Sequence, residues 1–206
     1  MNRTFVYLAS MSPRRTQLLD QLGVPHRPLV PGADEDAEAL ETMHRGESPT
    51  DYVVRVTLAK LQAARERRRQ RGDVDAAILC ADTTVAVGRT VLGKPVDADD
   101  ARAMLRRLSG RTHRVCTAVA IGATDALGHA VTHQTLSVSH VDVVTLTPHD
   151  IEHYVHSGEP FGKAGGYAIQ GRFAAHVARI RGSHSGIMGL PLHETAQLLR
   201  RCAVVF

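Results

Sequence analysis

The residues with the clearest chemical potential lie in four short segments rich in arginine, lysine, carboxylate or glycine. The first is S-M-S-P-R-R at residues 10–15. Ser12 as N-cap and Pro13 at the first helical position predict the start of a helix, whose free N–H groups would attract an anion. Arg14 and Arg15 in that first turn oppose the helix dipole. They therefore indicate either a bound phosphate or two solvated arginines on a capped surface helix.

The second segment is an apolar strand, residues 76–87, with a carboxylate at its centre. Asp82 is costly in such a position unless it is paired or bound to a metal ion. A metal ligand and a general base are the functional interpretations, and a strand-end aspartate that caps a neighbouring loop is the structural one. Glu35, in the acidic stretch 31–49, could supply the second carboxylate that a hard divalent cation prefers.

The other two segments combine lysine with glycine. G-K-P at 93–95 offers Lys94 as a point charge for phosphate, although it is equally typical of an ordinary turn. Residues 162–171 read G-K-A-G-G-Y-A-I-Q-G, so that Lys163 is followed by glycines that permit a close backbone approach to a ligand. Gln170 carries an amide that could pair with the imide edge of a pyrimidine. A flexible loop is the alternative, but loops of this kind are often functional.

A scaffold of helices and strands must bring these segments together. Hydrophobic periodicity predicts strands at 5–10, 76–87, 90–92, 113–122, 135–146 and 173–180. Helices are predicted at 13–22, 50–70, 98–108, 148–157 and 191–201. Helices mixed with hairpins predict an α/β protein with a mixed sheet, organised as a single domain over residues 1–206.

The composition is that of an ordinary globular protein and restricts the choice of partners. Of 206 residues, 43% are hydrophobic and 22% charged. No stretch has membrane-spanning length and no secretory signal is recognised, so a cytoplasmic location without membrane contact is expected. The net charge of +4 suits a polyanionic partner, while 4% aromatic residues and no tryptophan argue against base stacking on single strands. Three scattered cysteines are expected to be reduced.

Two further clusters are interpreted as solvated surface. The run R-E-R-R-R-Q-R at 65–71 could bind nucleic acid, but the helix dipole favours arginine at a helix C-terminus. A solvated helix end is therefore the favoured interpretation, and no stable nucleic-acid partner is expected. His149, His153 and His156 could share one helix face as metal ligands, yet no H-E-x-x-H motif or cysteine accompanies them.

In this order, the segments resemble the Maf family over nearly the whole chain. The resemblance is carried by S-M-S-P-R-R, A-D-T at 81–83, G-K-P, S-G-R-T-H at 109–113, E-P at 159–160 with K-A-G-G-Y-A-I-Q-G, and G-L-P at 189–191. It implies an elongated mixed sheet with flanking helices, in two lobes around a central nucleotide-binding cleft as in inosine triphosphatases. It also implies a possible homodimer.

The resemblance further implies a hydrolase that cleaves nucleoside triphosphates to monophosphate and pyrophosphate with a divalent cation, Mg²⁺ or Mn²⁺. Asp82 matches the family's proton acceptor, and Arg14, Thr83 and Gln170 match its specificity positions. A-D-T with Y-x-I-Q-G is typical of the branch acting on dTTP and UTP. The branch acting on 7-methyl-GTP has S-D-Q, and a glutamate at the position of Gln170.

On this basis Asp82 and Glu35 are expected to hold the metal, with Ser12 and the helix N–H groups cradling phosphate. The cations expected to spread positive charge over the triphosphate are Arg14, Arg15, Lys60 and Lys94. Gly162 and Ala59 depart from the family pattern, which has aspartate and glutamate there, and this bears on the geometry of Lys163 and Lys60. Turnover of 7-methyl-GTP and a non-catalytic nucleotide-binding regulator of septum formation remain alternatives.

Overall fold

One mixed sheet of seven strands organises the computed structural model, which describes residues 4–32, 35, 39–125 and 127–206. The strands are β1 (Val6–Leu8), β2 (His26–Pro28), β3 (Ala77–Val87), β4 (Thr90–Leu92), β5 (Thr112–Thr124), β6 (Ala130–Val143) and β7 (Val177–Arg181). The helices are α1 (Pro13–Gln21), α2 (Pro49–Arg71), α3 (Ala98–Leu108), α4 (Pro148–His156), α5 (His184–Met188) and α6 (Leu192–Arg201). Single 3₁₀ turns cover Ala39–Glu41, Ala164–Gly166 and Arg172–His176.

Strand β3 is the centre of the sheet, and its two halves have different neighbours along one edge. The strand order is β2–β1–β3–β5–β6–β7, with β1 parallel to β2 and β3 and the later pairs antiparallel. Strand β5 occupies one edge of β3 along most of its length. On the other edge the pairing with β1 ends at Leu79 and the pairing with β4 begins at Val85. Asp82 and Thr83 lie in this interval, where the sheet is split.

Apolar side chains divide the helices between two lobes that share the sheet. Helices α1 and α6 pack on one face of β1, β3 and β5, and α2 packs on the opposite face of the same strands. Helices α3 and α4 pack at the other end, against β6 and the far parts of β3 and β5, around the fully buried Phe173. The α/β class with a mixed sheet is thereby confirmed. No helix in the described ranges is both long and apolar enough to cross a membrane.

Capping residues fix where the helices begin. Ser48 accepts from the backbone N–H of Asp51 at the start of α2, and Asp97 accepts from that of Asp100 at the start of α3. At α4, Thr147 and Asp150 form a reciprocal capping box. Each such bond satisfies an N–H group that the helix leaves free. These caps explain why the predicted starts of α2, α3 and α4 agree with the structure within one residue.

Some predicted elements differ from the structure at their ends or were not predicted. Strand β2 and helix α5 were not predicted: both are short, and β2 exists through its parallel pairing with β1. Strand β6 covers 130–143 instead of 135–146, and β7 starts at Val177 because a 3₁₀ turn takes 172–176. The acidic stretch contains one 3₁₀ turn, Ala39–Glu41, within its described part.

Candidate active site

A cleft of about 650 Å³ opens where β3 lacks a neighbour. Its walls come from the start of α1, from α2, β3 and β4, from the glycine-rich segment 162–171 and from the end of α5. This volume is typical of small-molecule sites. All ten predicted site residues line the cleft, although they are far apart in sequence: Ser12, Arg14, Arg15, Glu35, Lys60, Asp82, Thr83, Lys94, Lys163 and Gln170.

Two carboxylates converge on one ammonium at the centre of the cleft. Lys60 Nζ donates to Asp82 Oδ1 at 2.6 Å and to Glu41 Oε1 at 2.7 Å, and Lys94 Nζ lies 3.7 Å from Glu41 Oε2. Burial alone would lower the pKa of Lys60, but the charge and hydrogen bonds of the two carboxylates outweigh it and the pKa is raised. Burial would raise the pKa of Glu41, yet Lys60 and then Lys94 outweigh it and the pKa is lowered.

Glu41 was not predicted, because the sequence gives no means of selecting it. It is one of six carboxylates in the stretch 31–49, and acidity was the only signal that could have indicated it. Its position depends on contacts with α2: Tyr52 Oη donates to the backbone carbonyl of Glu41 at 2.9 Å. Arg55, one turn further along α2, donates to the carbonyl of Thr42 at 2.9 Å. The structure thus adds a carboxylate to the set that surrounds Asp82.

The two arginines of α1 have different environments. Arg15 donates to the Gly189 carbonyl at 2.9 Å, to Ser10 Oγ at 3.1 Å and to Thr83 Oγ1 at 3.4 Å. Burial lowers the pKa of its guanidinium, an effect that the charge of Asp82 opposes. Arg14 is half-buried and makes one long contact, 3.4 Å to the Met188 carbonyl. Arg15 therefore fixes the cleft wall, whereas Arg14 keeps donors that can face a ligand.

Ser12 occupies the predicted N-cap position of α1 and Pro13 its first turn. The Ser12 hydroxyl makes no capping hydrogen bond to the helix, and the Ser12 N–H donates to Ser10 Oγ at 3.2 Å. The first turn of α1 lines the cleft. Its N–H groups are therefore placed where an anion could accept from them.

Glu35 lines the cleft but its carboxylate is held by α2. Arg67 donates to Oε1 at 2.7 Å and to Oε2 at 2.5 Å, and the Gly32 N–H also donates to Oε1 at 3.1 Å. The hydrogen bond from Arg67 lowers the pKa of Glu35 to about 2. The structure therefore places Glu41, rather than Glu35, in contact with the Lys60 ammonium that Asp82 also binds.

The interpretation of 65–71 as a solvated helix end is wrong for most of its arginines. Arg67 is buried and also donates to the Leu29 carbonyl at 2.9 Å. Arg65 donates to the Val131 carbonyl at 2.6 Å, and Arg68 to the Ala76 carbonyl at 2.7 Å. The helix C-terminus packs against the sheet, which the dipole argument alone could not indicate. These side chains are therefore joined to the fold instead of forming a free cationic surface.

We expect Glu35→Gln to destabilise the protein near neutral pH, with the effect shrinking in acid. Because the folded-state pKa is depressed from 4.5 to about 2, the stabilisation is present above the ordinary value and lost as pH falls between these limits. The carboxylate is 37% exposed, so salt should weaken the effect. Thermal unfolding at pH 7 and pH 3 measures it, with the exposed Asp73→Asn as control. An equal difference in Tm at both pH values would contradict the ion pair.

The glycine-rich segment forms a further part of the cleft wall beside β3. Gly165 has a φ of +71°, and a Cβ there would overlap Val85, so only glycine allows this approach to β3. The Gly165 N–H donates to the Gly93 carbonyl at 2.9 Å, which ties the segment to G-K-P. Burial, and then the charge of Arg14, lower the pKa of Lys163. Gln170 is exposed to the cleft.

A buried histidine contacts a tyrosine of the same segment. His113 Nε2 lies 2.7 Å from Tyr167 Oη, and burial lowers the pKa of His113 to about 4. The imidazole is therefore neutral near pH 7. Its Nδ1 has no partner among the described residues. His113 belongs to S-G-R-T-H and Tyr167 to the glycine-rich motif, so their contact connects two motifs that lie 54 residues apart in the chain.

The donor chemistry near Asp82 fits a hard divalent cation. Oxygens of Asp82 and Glu41 both contact the Lys60 nitrogen, so the two carboxylates face the same point, and carboxylate oxygens suit Mg²⁺ and Mn²⁺. Within the described ranges, no group of three or more His, Cys, Asp or Glu side chains is placed to hold a metal ion. Water and phosphate oxygens would have to complete such a coordination shell.

The fold and this cleft define an α/β protein with a charged small-molecule site between two lobes. The family described as Maf-like protein matches residues 5–202. The chain therefore belongs to the Maf-like family.

Several relatives match over nearly their whole length. The dTTP/UTP pyrophosphatase of Polaromonas sp. (strain JS666) is 58% identical, covering 95% of each chain. Its namesake in Cupriavidus metallidurans is 56% identical over 98% of this chain and 99% of the relative, and that of Burkholderia pseudomallei is 58% identical over 98% and 95%. Among solved structures, a HAM1 protein from Coxiella burnetii covers 98% of this chain and 100% of its own, with 13% identity and a TM-score of 0.49.

Proposed function

We propose that this chain hydrolyses dTTP and UTP to the nucleoside monophosphate and pyrophosphate. The observation that carries the proposal is the placement of Asp82 in a cleft lined by arginine and lysine side chains. The names of the near-full-length relatives support the reaction and the pyrimidine substrates. An anionic triphosphate complements these cations, and a carboxylate is a competent proton acceptor.

In the proposed reaction, water attacks the α-phosphorus while its proton passes to the Asp82 carboxylate. The bond from the α-phosphorus to the bridging oxygen breaks, and pyrophosphate leaves with the bonding electrons. Arg14, Lys60 and Lys94 neutralise charge on the phosphates, which is the main contribution that a protein makes to phosphoryl chemistry. Arg15 holds Thr83 and Gly189 in place. Lys163 is close enough to Arg14 for their charges to interact, so it extends the same cationic wall.

We propose that Asp82 holds a divalent cation, Mg²⁺ or Mn²⁺, together with a second carboxylate. Glu41 is favoured for this position because it already shares a cation with Asp82. Glu35, the carboxylate expected from the sequence, would first have to leave Arg67. When bound, the metal would neutralise phosphate charge and lower the pKa of a bound water.

A comparison of two variants shows which carboxylate binds the metal together with Asp82. We expect Glu41→Gln to raise the metal concentration for half-maximal activity by about tenfold, the order of effect reported for lost ligands or their supports. Glu35→Gln should leave that concentration within about twofold, because Arg67 occupies its carboxylate. Rates measured across a Mg²⁺ and a Mn²⁺ titration give the answer. The reverse order would assign the position to Glu35.

The function itself is tested by pyrophosphate release from UTP, dTTP, CTP, GTP and 7-methyl-GTP, with and without Mg²⁺ or Mn²⁺. We expect metal-dependent release from UTP and dTTP. Turnover of 7-methyl-GTP alone would keep the chemistry and contradict the roles of Thr83 and Gln170. No release from any nucleotide would favour a nucleotide-binding regulator of septum formation.

We further propose a cytoplasmic enzyme without a stable nucleic-acid partner. The arginines of 65–71 support the absence of a nucleic-acid partner, because Arg65, Arg67 and Arg68 bind carbonyls of their own chain. Binding to duplex or single-stranded DNA that weakens steeply with salt would contradict it. A homodimer stays a prediction.

A further inference from the structure

A tight turn from Ala168 to Gly171 carries Gln170 into the cleft. The Gly171 N–H donates to the Ala168 carbonyl at 3.1 Å and closes the turn over Ile169 and Gln170. The Gln170 side chain is exposed and lines the cleft. The backbone conformation of the turn therefore determines where the Gln170 amide lies in the cleft.

One tyrosine–glutamate pair binds the backbone on both sides of Gln170. The Ala168 N–H donates to Tyr154 Oη at 3.1 Å, and the Arg172 N–H donates to Glu159 Oε2 at 3.1 Å. Tyr154 Oη in turn donates to Glu159 Oε1 at 2.8 Å. The turn and the pair thus form a closed ring of hydrogen bonds, in which each polar group has a partner.

The pair is held rigidly by its own surroundings. Tyr154 lies in α4 and is only 3% exposed, with its ring 5.1 Å from that of Phe173 between centroids. The backbone carbonyl of Glu159 accepts from Lys163 Nζ at 2.6 Å. A Cβ on Gly171 would overlap the Glu159 carboxylate, so glycine is required there for the carboxylate to reach the Arg172 N–H.

We propose that Tyr154 and Glu159 are positioning residues that set base selectivity by fixing the turn that carries Gln170. This inference rests on the proposed function, because it assumes that the Gln170 amide reads the base. Neither residue is among those that line the cleft. Their effect on a nucleotide must therefore pass through the turn.

Tyr154→Phe tests the pair with a minimal change, since it removes only the hydroxyl. We expect KM for UTP to rise about fivefold to tenfold, as follows from the loss of one or two net hydrogen bonds, with kcat within about twofold. The preference for UTP over GTP in kcat/KM should fall by a similar factor. Gln170→Ala gives the upper limit of this loss. Tyr7→Phe, in a buried tyrosine of β1 outside the cleft, is the matched control and should change neither parameter.

Glu159 is tested by a pair of variants that differ in what they retain. Glu159→Ala should reproduce the Tyr154→Phe loss of selectivity. Glu159→Gln keeps an oxygen that can accept from the Arg172 N–H, so we expect it to recover part of the preference for UTP. Hydrogen exchange at the Ala168 and Arg172 amides should be faster in Tyr154→Phe and in Glu159→Ala than in the wild type.

Two results would overturn the inference. Unchanged KM and unchanged preference in Tyr154→Phe and Glu159→Ala would show that the pair does not act on Gln170. An equal fall of kcat for every nucleotide, with selectivity intact, would show a merely structural role. Turnover by the wild type, measured with the same nucleotides, distinguishes failure of this inference from failure of the proposed function. If the wild type releases no pyrophosphate, the inference is tested by the binding of α,β-imido-UTP relative to α,β-imido-GTP. A preference for the UTP analogue that is the same in the wild type and in both variants would overturn it.

Discussion

Asp82→Asn should lower kcat for UTP and dTTP by at least about a thousandfold, within the range for loss of a positioned general base. Asparagine has the same shape and still accepts from Lys60, but it cannot take a proton from water. At a saturating metal concentration, KM should stay the same or fall, because the substitution removes a negative charge beside an anionic substrate. The fold should persist, since Lys60 keeps its bond to Glu41.

Single-turnover kinetics with circular dichroism on the same samples measures both expectations. Asp99→Asn is the matched control, because Asp99 lies on the surface of α3 with its carboxylate 94% exposed. That control should keep wild-type kinetics. An Asp82→Asn variant with wild-type kcat would remove Asp82 from the reaction.

Lys60→Met should lower kcat/KM about a hundredfold at pH 7, a magnitude typical of losing one electrostatic donor at a reacting phosphate. Methionine keeps most of the aliphatic stem but leaves two carboxylates facing each other without their shared cation. Burial then acts on Glu41 unopposed by Lys60, so the pKa of Glu41 rises above its wild-type position, although Lys94 and Arg15 still lower it. The acidic limb of the pH–rate profile should therefore move to higher pH.

The same variant should also be less stable at neutral pH, because removing one partner of a largely buried ion pair leaves an uncompensated charge. Its deficit in Tm should narrow as pH falls and Glu41 takes up a proton, since neutralisation relieves the repulsion. Lys94→Met provides a graded comparison: Lys94 is 53% exposed and 3.7 Å from Glu41, so its effects should be smaller. Equal effects of the two substitutions would contradict the central role of Lys60.

Local signals made much of the fold predictable. Asp97 and Thr147 indicate helix starts to within one residue, and the apolar run around Asp82 defines β3. Strand β2 could not be predicted because H-R-P has no apolar pattern and forms a strand only beside β1. Helix α5 is five residues long, too short to show helical periodicity.

Prediction of the site residues from the sequence was limited for the same reason. Arg14, Asp82 and Gln170 were found because their residue types are unusual in their local surroundings, or match motifs. Glu41 resembles every other carboxylate of its acidic stretch, and only its contact with Lys60 distinguishes it. The Tyr154–Glu159 pair likewise acquires its meaning from the turn that folds against it. Distances between remote segments decide such roles, and residue spacing does not encode them.

The bond between Arg15 and the Gly189 carbonyl spans 174 residues, and it imposes an order on biosynthesis. At elongation rates of 5–20 residues per second, roughly 10 to 35 seconds separate the synthesis of these two partners. During that time the first helix cannot acquire the wall that holds its arginine against Thr83. A nascent chain on the ribosome therefore lacks this part of the cleft wall until Gly189 has been made.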